Sequence, residues 1–308
     1  MASDQRFFLT FVSANSSYVA DRDSEHSSFL VNRIILSGQD FVLYRMPAER
    51  EPRLVMGPVV SLNEEFPFRH YHLPSGFLFH PFCPTQTCPS LLIKPDTACR
   101  GWELIEQETE SLTHRRVTLS NIERKQQKAA PHADDFRRTY RIFRNQIDRR
   151  LFRSLYLSQA IEGLWADNTD EGTLFTHMLQ EFPDEMVYLI YTRISGRWAG
   201  HTPRILMRGG SHRWESIAPS GSRHITYTPD GSGLVNSLLE VPSEEISGEP
   251  SALAREFIRL HEGFPRLYFT GIVGNLNIYG ETSLFLNTSC LKVRPHGRAI
   301  FYGGAMMR

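Results

Sequence analysis

Short apolar runs broken by turn residues dominate the first third of the chain. Phe41-Val42-Leu43-Tyr44 runs on to Met46, and residues 49–53, with Pro52, form a polar turn before Leu54-Val55-Met56. Gly76-Phe77-Leu78-Phe79-His80-Pro81-Phe82 and Leu91-Leu92-Ile93 repeat the pattern, which predicts short strands in antiparallel sheet. Residues 106–133 then shift to Glu, Gln, Lys, Arg and His, a composition expected of a connecting segment. Beyond it the period changes. Phe136, Tyr140, Phe143, Ile147 and Leu151 recur at intervals of four, three, four and four, which predicts one face of a helix, with Asp134 as its N-cap.

Leu155-Tyr156-Leu157 reads as a strand, and Leu174, Phe175, Met178 and Leu179 fall at helical spacing. Residues 186–194 form a long apolar strand that turns at Ser195-Gly196 into Arg197-Trp198-Ala199. Residues 250–262 read as a helix ended by Gly263, and residues 267–273, 284–293 and 299–302 as strands. Strands predominate without regular strand–helix alternation, so the expected class is α+β with antiparallel sheets. The expected organisation is a single domain over 1–308. It comprises an N-terminal sheet module (1–105), the connecting segment (106–133) and a C-terminal region (134–308).

Charge narrows the function classes. Thirty-four basic residues balance thirty-four acidic ones, so no global field draws the chain to nucleic acid or anionic lipid. The arginines around the predicted helix (Arg137, Arg138, Arg141, Arg144, Arg149, Arg150, Arg153) therefore read as a solvated face. No apolar run approaches the ~18 residues of a membrane span, and the N-terminus lacks a secretory pattern, so a cytoplasmic location is expected. Cys83 and Cys88, with His80 and Cys99 nearby, admit a zinc site, but no second cysteine pair follows. Cysteines packed as small apolar groups are the simpler expectation, and disulfides are not expected in a reducing compartment. His70 and His72 alternate on one strand face and read as surface histidines rather than a metal pair. There is no glycine-rich phosphate loop, no Gly-x-Ser-x-Gly elbow and no His-Glu-x-x-His helix. Composition and spacing alone reveal no activity.

The order of longer segments does carry information. Phe152-Arg153-Ser154-Leu155-Tyr156-Leu157-Ser158-Gln159 looks like F-x-K-V-V-L-S-R, and Trp198-Ala199-Gly200-His201-Thr202-Pro203-Arg204 looks like W-L-G-A-T/S-P-E. The loop ending Ala218-Pro219-Ser220-Gly221-Ser222-Arg223 resembles one ending A-G-T-R. Glu245-Ile246-Ser247-Gly248-Glu249-Pro250 resembles the end of H-P-T-P-A-x-x-G-x-P. His261 to Gly274, Leu286-Asn287-Thr288-Ser289-Cys290 and Tyr302-Gly303-Gly304 follow in the same order. Residues 40–47 and 90–96 add two N-terminal pieces. Together these resemble the isochorismate synthases of the menaquinone branch, which use chorismate.

The resemblance implies two face-packed antiparallel β-sheets with helices outside, shortened here by an internal deletion and a C-terminal truncation. It also implies a reaction in which a lysine base activates water, a glutamate acid protonates the leaving hydroxyl, and Mg2+ held by two glutamates neutralises the substrate carboxylate. The lysine position is Ser154 and the glutamate position Arg204; the motif histidine corresponds to Val241 and the carboxylate-binding arginine to Ser289. Gly221, Ser222, Gly271, Gly303 and Gly304 stand where the family's backbone approaches the ligand. Neither magnesium carboxylate has a counterpart. The expectation is an isochorismate synthase-like chain, non-catalytic or strongly impaired, holding no metal or cofactor. Its expected ligand is chorismate or a related anionic small molecule; the alternative is an active enzyme with a rebuilt site.

Overall fold

The apolar runs become strands that are covered on both faces, which is why they carry so few polar interruptions. The structure, a computed structural model, describes residues 22–62, 68, 73–113, 133–164, 170–240, 243–295 and 297–308. The chain opens with helix α1 (Arg22–Ser37) and six short strands: β1 (Phe41–Arg45), β2 (Arg53–Met56), β3 (Val59–Ser61), β4 (Gly76–His80), β5 (Leu91–Ile93) and β6 (Thr97–Arg100). Helices α2 (Trp102–Thr109) and α3 (Ala133–Asp148) lead to the long β7 (Ser154–Leu164) and α4 (Glu171–Glu181). A run of antiparallel strands follows: β8 (Met186–Thr192), β9 (Gly196–Thr202), β10 (Ile205–Gly210), β11 (Arg213–Ile217) and β12 (Arg223–Tyr227). Helix α5 (Ser232–Glu240), the short β13 (Gly248–Glu249) and α6 (Ser251–His261) come next. The last strands are β14 (Ile272–Ile278), β15 (Glu281–Leu286), β16 (Ser289–Arg294) and β17 (Arg298–Met307).

The strands form two antiparallel sheets. One holds nine strands in the order β13-β7-β17-β16-β9-β8-β1-β2-β6, the other eight in the order β12-β11-β10-β15-β14-β4-β5-β3. Strands from the first hundred residues enter both: β1 pairs with β8, and β4 with β14.

Side-chain alternation sorts three apolar layers. Between the sheets, Val42, Tyr44, Tyr188 and Trp198 of the first meet Phe77, Phe79, Val273 and Phe285 of the second. Tyr268 stacks on Phe79 at 3.9 Å between ring centres and meets Trp198 edge-on. On the outer face of the first sheet, Phe41, Leu43, Leu189 and Leu291 pack against Val31 and Ile34 of α1, Ile105 of α2 and Phe175 of α4. On the other side Leu78, Leu92, Leu276 and Leu284 pack with Phe143 of α3, Val235 of α5 and Ile258 of α6. The result is a helix–sheet–sheet–helix stack, as the resemblance implied.

Polar groups fix the layers at their ends. Asp170 caps α4 by accepting from the Thr173 amide at 2.7 Å. The buried Arg45 guanidinium covers the other end of α4, donating to the Leu179, Phe182 and Glu185 carbonyls.

Several expectations need correction. The α3 stripe holds at Phe136, Phe143 and Ile147, which pack on the second sheet, but Tyr140 is 43% exposed and Thr139 is buried beside it. Leu151 lies past the helix end and is 58% exposed. Helix α1 was not predicted, because its apolar positions sit among serines and charged residues. The polar segment from 106 begins inside α2; residues 114–132, His70, His72 and Val241 lie outside the described residues. Cys88 and Cys290 pack in the intersheet core, and all four thiols are free. Among the described residues no helix is long and apolar enough to cross a membrane.

Candidate functional site

The positions singled out by motif lie where the start of β7, the β9–β10 turn and residues 243–249 converge. Ser243 starts the last of these: its carbonyl accepts from the Ile246 and Ser247 amides, each at 3.2 Å, closing a tight turn before β13. β13 then pairs with β7, Glu249 opposite Ser154. The Arg153 guanidinium donates to Glu249 at 2.6 Å on the surface. Among the described residues the Ser154 hydroxyl has no hydrogen-bond partner.

Arg204 lies at the turn between β9 and β10. Thr202 donates its hydroxyl to the Leu286 carbonyl at 2.7 Å and accepts the Arg204 amide at 3.1 Å, which locks the turn between β9 and β10. The Arg204 Nε reaches both carboxylate oxygens of Glu245, at 3.0 and 2.9 Å. Its Nη1 and Nη2 donate to the carbonyls of Ile205 at 3.0 Å and Ile217 at 3.1 Å. One side chain therefore ties together the turn, the end of β11 and residues 243–249. At the position where the motifs place a glutamate acid, the structure thus holds a guanidinium paired with Glu245.

A second ion pair lies deeper. Arg266 and Glu262 are each about 2% exposed and share two short contacts of 2.6 and 2.8 Å. Arg266 also donates to the carbonyls of Ile246 at 2.6 Å and Tyr156 at 2.8 Å, and Glu262 accepts the Ser158 amide at 3.0 Å. The ring of Phe82 lies 4.4 Å from the guanidinium carbon. Both oxygens of that carboxylate are engaged within the protein.

The remaining candidates are dispersed. Gly221 and Ser222 form the exposed β11–β12 turn, with the Gly221 amide on the Ala218 carbonyl. Gly303 and Gly304 sit on β17 opposite Gln159 and Ser158 of β7; a methyl group on Gly304 would lie 2.4 Å from the Tyr156 ring, so packing demands glycine there. Gly271 is pressed against the His80 carbonyl, only 1.9 Å from where a Cβ would stand. Ser289 lies on β16 opposite His201, and His201 reaches Glu185 at 2.6 Å and stacks on Phe182.

Of these candidates only Gly271 lines the cavity found here. That cavity measures about 40 Å³ and is also bordered by His80, Ser243, Arg255, Thr270 and Leu286. Arg255 has no sequence signal of its own, since it looks like any arginine on an amphipathic helix. His80 hydrogen-bonds Ser90 through Nδ1 at 2.8 Å. Burial, then the charge of Arg255, push its pKa from 6.5 down to about 3, so its ring is neutral.

The donor set does not fit magnesium. The Glu245 and Glu262 carboxylates are neutralised by guanidinium groups, and among the described residues no three His, Cys, Asp or Glu side chains gather as ligands.

No protein-family model matches the chain, and no curated protein matches it in sequence. Solved structures do match in fold. The 2,3-dihydroxybenzoate-specific isochorismate synthase of Bacillus anthracis superposes with a TM-score of 0.62 at 13% identity, over 89% of this chain and 92% of that one. The menaquinone-specific isochorismate synthase of Escherichia coli gives 0.59 at 11% identity, over 88% and 84%. Anthranilate synthase component I of Streptococcus pneumoniae gives 0.55 at 14% identity, over 87% of each chain. The chain has the fold that these chorismate-utilising enzymes share.

Proposed function

We propose that this protein is a pseudoenzyme of the isochorismate synthase type, one that recognises chorismate or a related anionic small molecule without converting it. The observation that carries the reading is the state of Arg204. At the position matching the family's general acid stands an arginine instead of a carboxylic acid, and each of its three guanidinium nitrogens donates to Glu245 or to a carbonyl. Ser154, at the base position, has no described group to activate its hydroxyl, because the neighbouring Glu249 is paired with Arg153. Loss of one acid or base costs about 10²–10⁴ in rate. Loss of both, with no cluster of metal ligands among the described residues, removes most of what the fold would supply.

The fold likeness, extending over nearly nine-tenths of the chain, speaks for descent from a chorismate-utilising ancestor; assignment to the menaquinone branch rests on the motif resemblance, and a cytoplasmic location on the sequence alone. Descent of a fold does not carry activity with it. Calorimetric titration with chorismate, with and without Mg2+, tests the reading. The expected result is a saturable heat unchanged by the metal. A magnesium-dependent heat, or a sustained heat of turnover, would overturn it in favour of an active enzyme with a rebuilt site.

A further inference from the structure

Arg255 projects from α6 beside the fully buried Ala254 and is itself half-buried. It makes no hydrogen bond and no ion pair among the described residues. Its neighbours differ: Arg204 holds Glu245, Arg266 holds Glu262, and the adjacent Glu256 is committed to Arg259 at 2.8 and 2.5 Å. The nearby Glu256 carboxylate feels the Arg255 charge but is exposed and hydrogen-bonded to Arg259, so the partly desolvated Arg255 guanidinium keeps its donors open to an anion.

The cavity it faces suits a particular anion. Among the described lining residues Arg255 carries the sole permanent charge, and Ser243 and Thr270 add hydroxyls. Leu206, Ile246 and Leu286 make the remaining wall apolar. By the same measure a single water needs about 10–15 Å³, so a volume of about 40 Å³ holds roughly three water-sized groups. That is the size of a carboxylate with a short alkyl stub. A tetrahedral oxyanion would bring a higher charge and find one cation.

We infer that the cavity between the β4 end, α6 and residues 243–246 binds a short monocarboxylate, its oxygens against Arg255 and its alkyl end against Leu206 and Leu286. The inference rests on reading the chain as a binding protein. It assigns a small-carboxylate site at Arg255 separate from the Ser154 and Arg204 region where the motifs place the chorismate-like ligand.

The test is an NMR and calorimetric titration of the full chain with acetate, propanoate, benzoate and inorganic phosphate in turn. Acetate and propanoate should saturate in the millimolar range and shift the His80 ring resonances. Benzoate should bind at least tenfold more weakly because its ring exceeds the cavity, and phosphate should bind more weakly than propanoate. Arg255→Met, which keeps the aliphatic stem, should weaken propanoate at least tenfold while the protein still melts cooperatively. No saturable carboxylate binding to the wild-type chain would overturn the inference, as would binding that is unchanged in Arg255→Met. Phosphate binding tighter than propanoate would overturn the carboxylate assignment. These outcomes are separate from turnover: chorismate left intact with no carboxylate bound refutes only this inference, whereas chorismate converted refutes the pseudoenzyme reading.

Discussion

If Arg204 is a structural clamp, breaking its pairing with Glu245 should cost stability by a calculable amount. Both side chains are about one-fifth exposed, so the pair is neither a free surface bridge nor a fully buried one. Hydrogen bonds to charged groups contribute about 1.5–3 kcal/mol when buried, and partial screening lowers this to about 1–2 kcal/mol here. Glu245→Gln should therefore cost about 1–2 kcal/mol. Arg204→Met also abandons the Ile205 and Ile217 carbonyls and should cost about 2–4 kcal/mol. With an unfolding entropy of about 2.1 cal/mol/K per residue, each kcal/mol moves the Tm of this 308-residue chain by about 1.5 °C, which replicate circular-dichroism melts resolve. The double variant should show a coupling of at least about 1 kcal/mol. Arg204→Glu, which restores the family's residue type, should destabilise further by setting two carboxylates face to face, and it should not create isomerase activity. Additivity within about 0.5 kcal/mol would refute the clamp.

Arg266→Met leaves Glu262 buried without its partner and should cost about 3–5 kcal/mol in urea melts, while a paired Glu262→Leu/Arg266→Met variant recovers part of the loss; equal loss in both would contradict this. For His80 the folded pKa, about 3, lies below the ordinary 6.5, so the unfolded chain takes up the proton first as pH falls. The stability held by the neutral ring is complete above about pH 6.5. It is lost on acidification toward about pH 3 by at most about 1.4 kcal/mol per pH unit, and His80→Gln should flatten that slope in pH-dependent melts. Burial raises Cys88 to about 12 and also raises Cys290, so both should resist a thiol reagent at pH 8 until the chain unfolds, while the half-buried Cys83 reacts first. Four equal rates would refute that packing.

Strand content and sheet class were legible because β1, β4 and β8 bury both faces and so read as unbroken apolar runs. Tyr140 misled the helix reading. It is an aromatic residue with a polar tip, and at 43% exposed it can sit beside the buried stripe, which instead uses Thr139. The arrangement of seventeen strands into two sheets depends on long-range pairing such as β1 with β8, which no local pattern encodes. At the site, motif order located Ser154 and Arg204 but left their partners unnamed. Glu245 meets Arg204 across forty-one residues of sequence, and only the fold brings them together. Arg255 was unreadable for the opposite reason: its distinction is the lack of a partner among the described residues, which appears only in three dimensions.

The central claim is that chorismate survives contact with this protein. Proton NMR of chorismate held with an equimolar concentration of the folded chain, with and without Mg2+, tests it most directly. The account expects a spectrum identical to the protein-free control over many hours. Isochorismate accumulating above that control would contradict it and would mean that other side chains have taken over the acid and base roles.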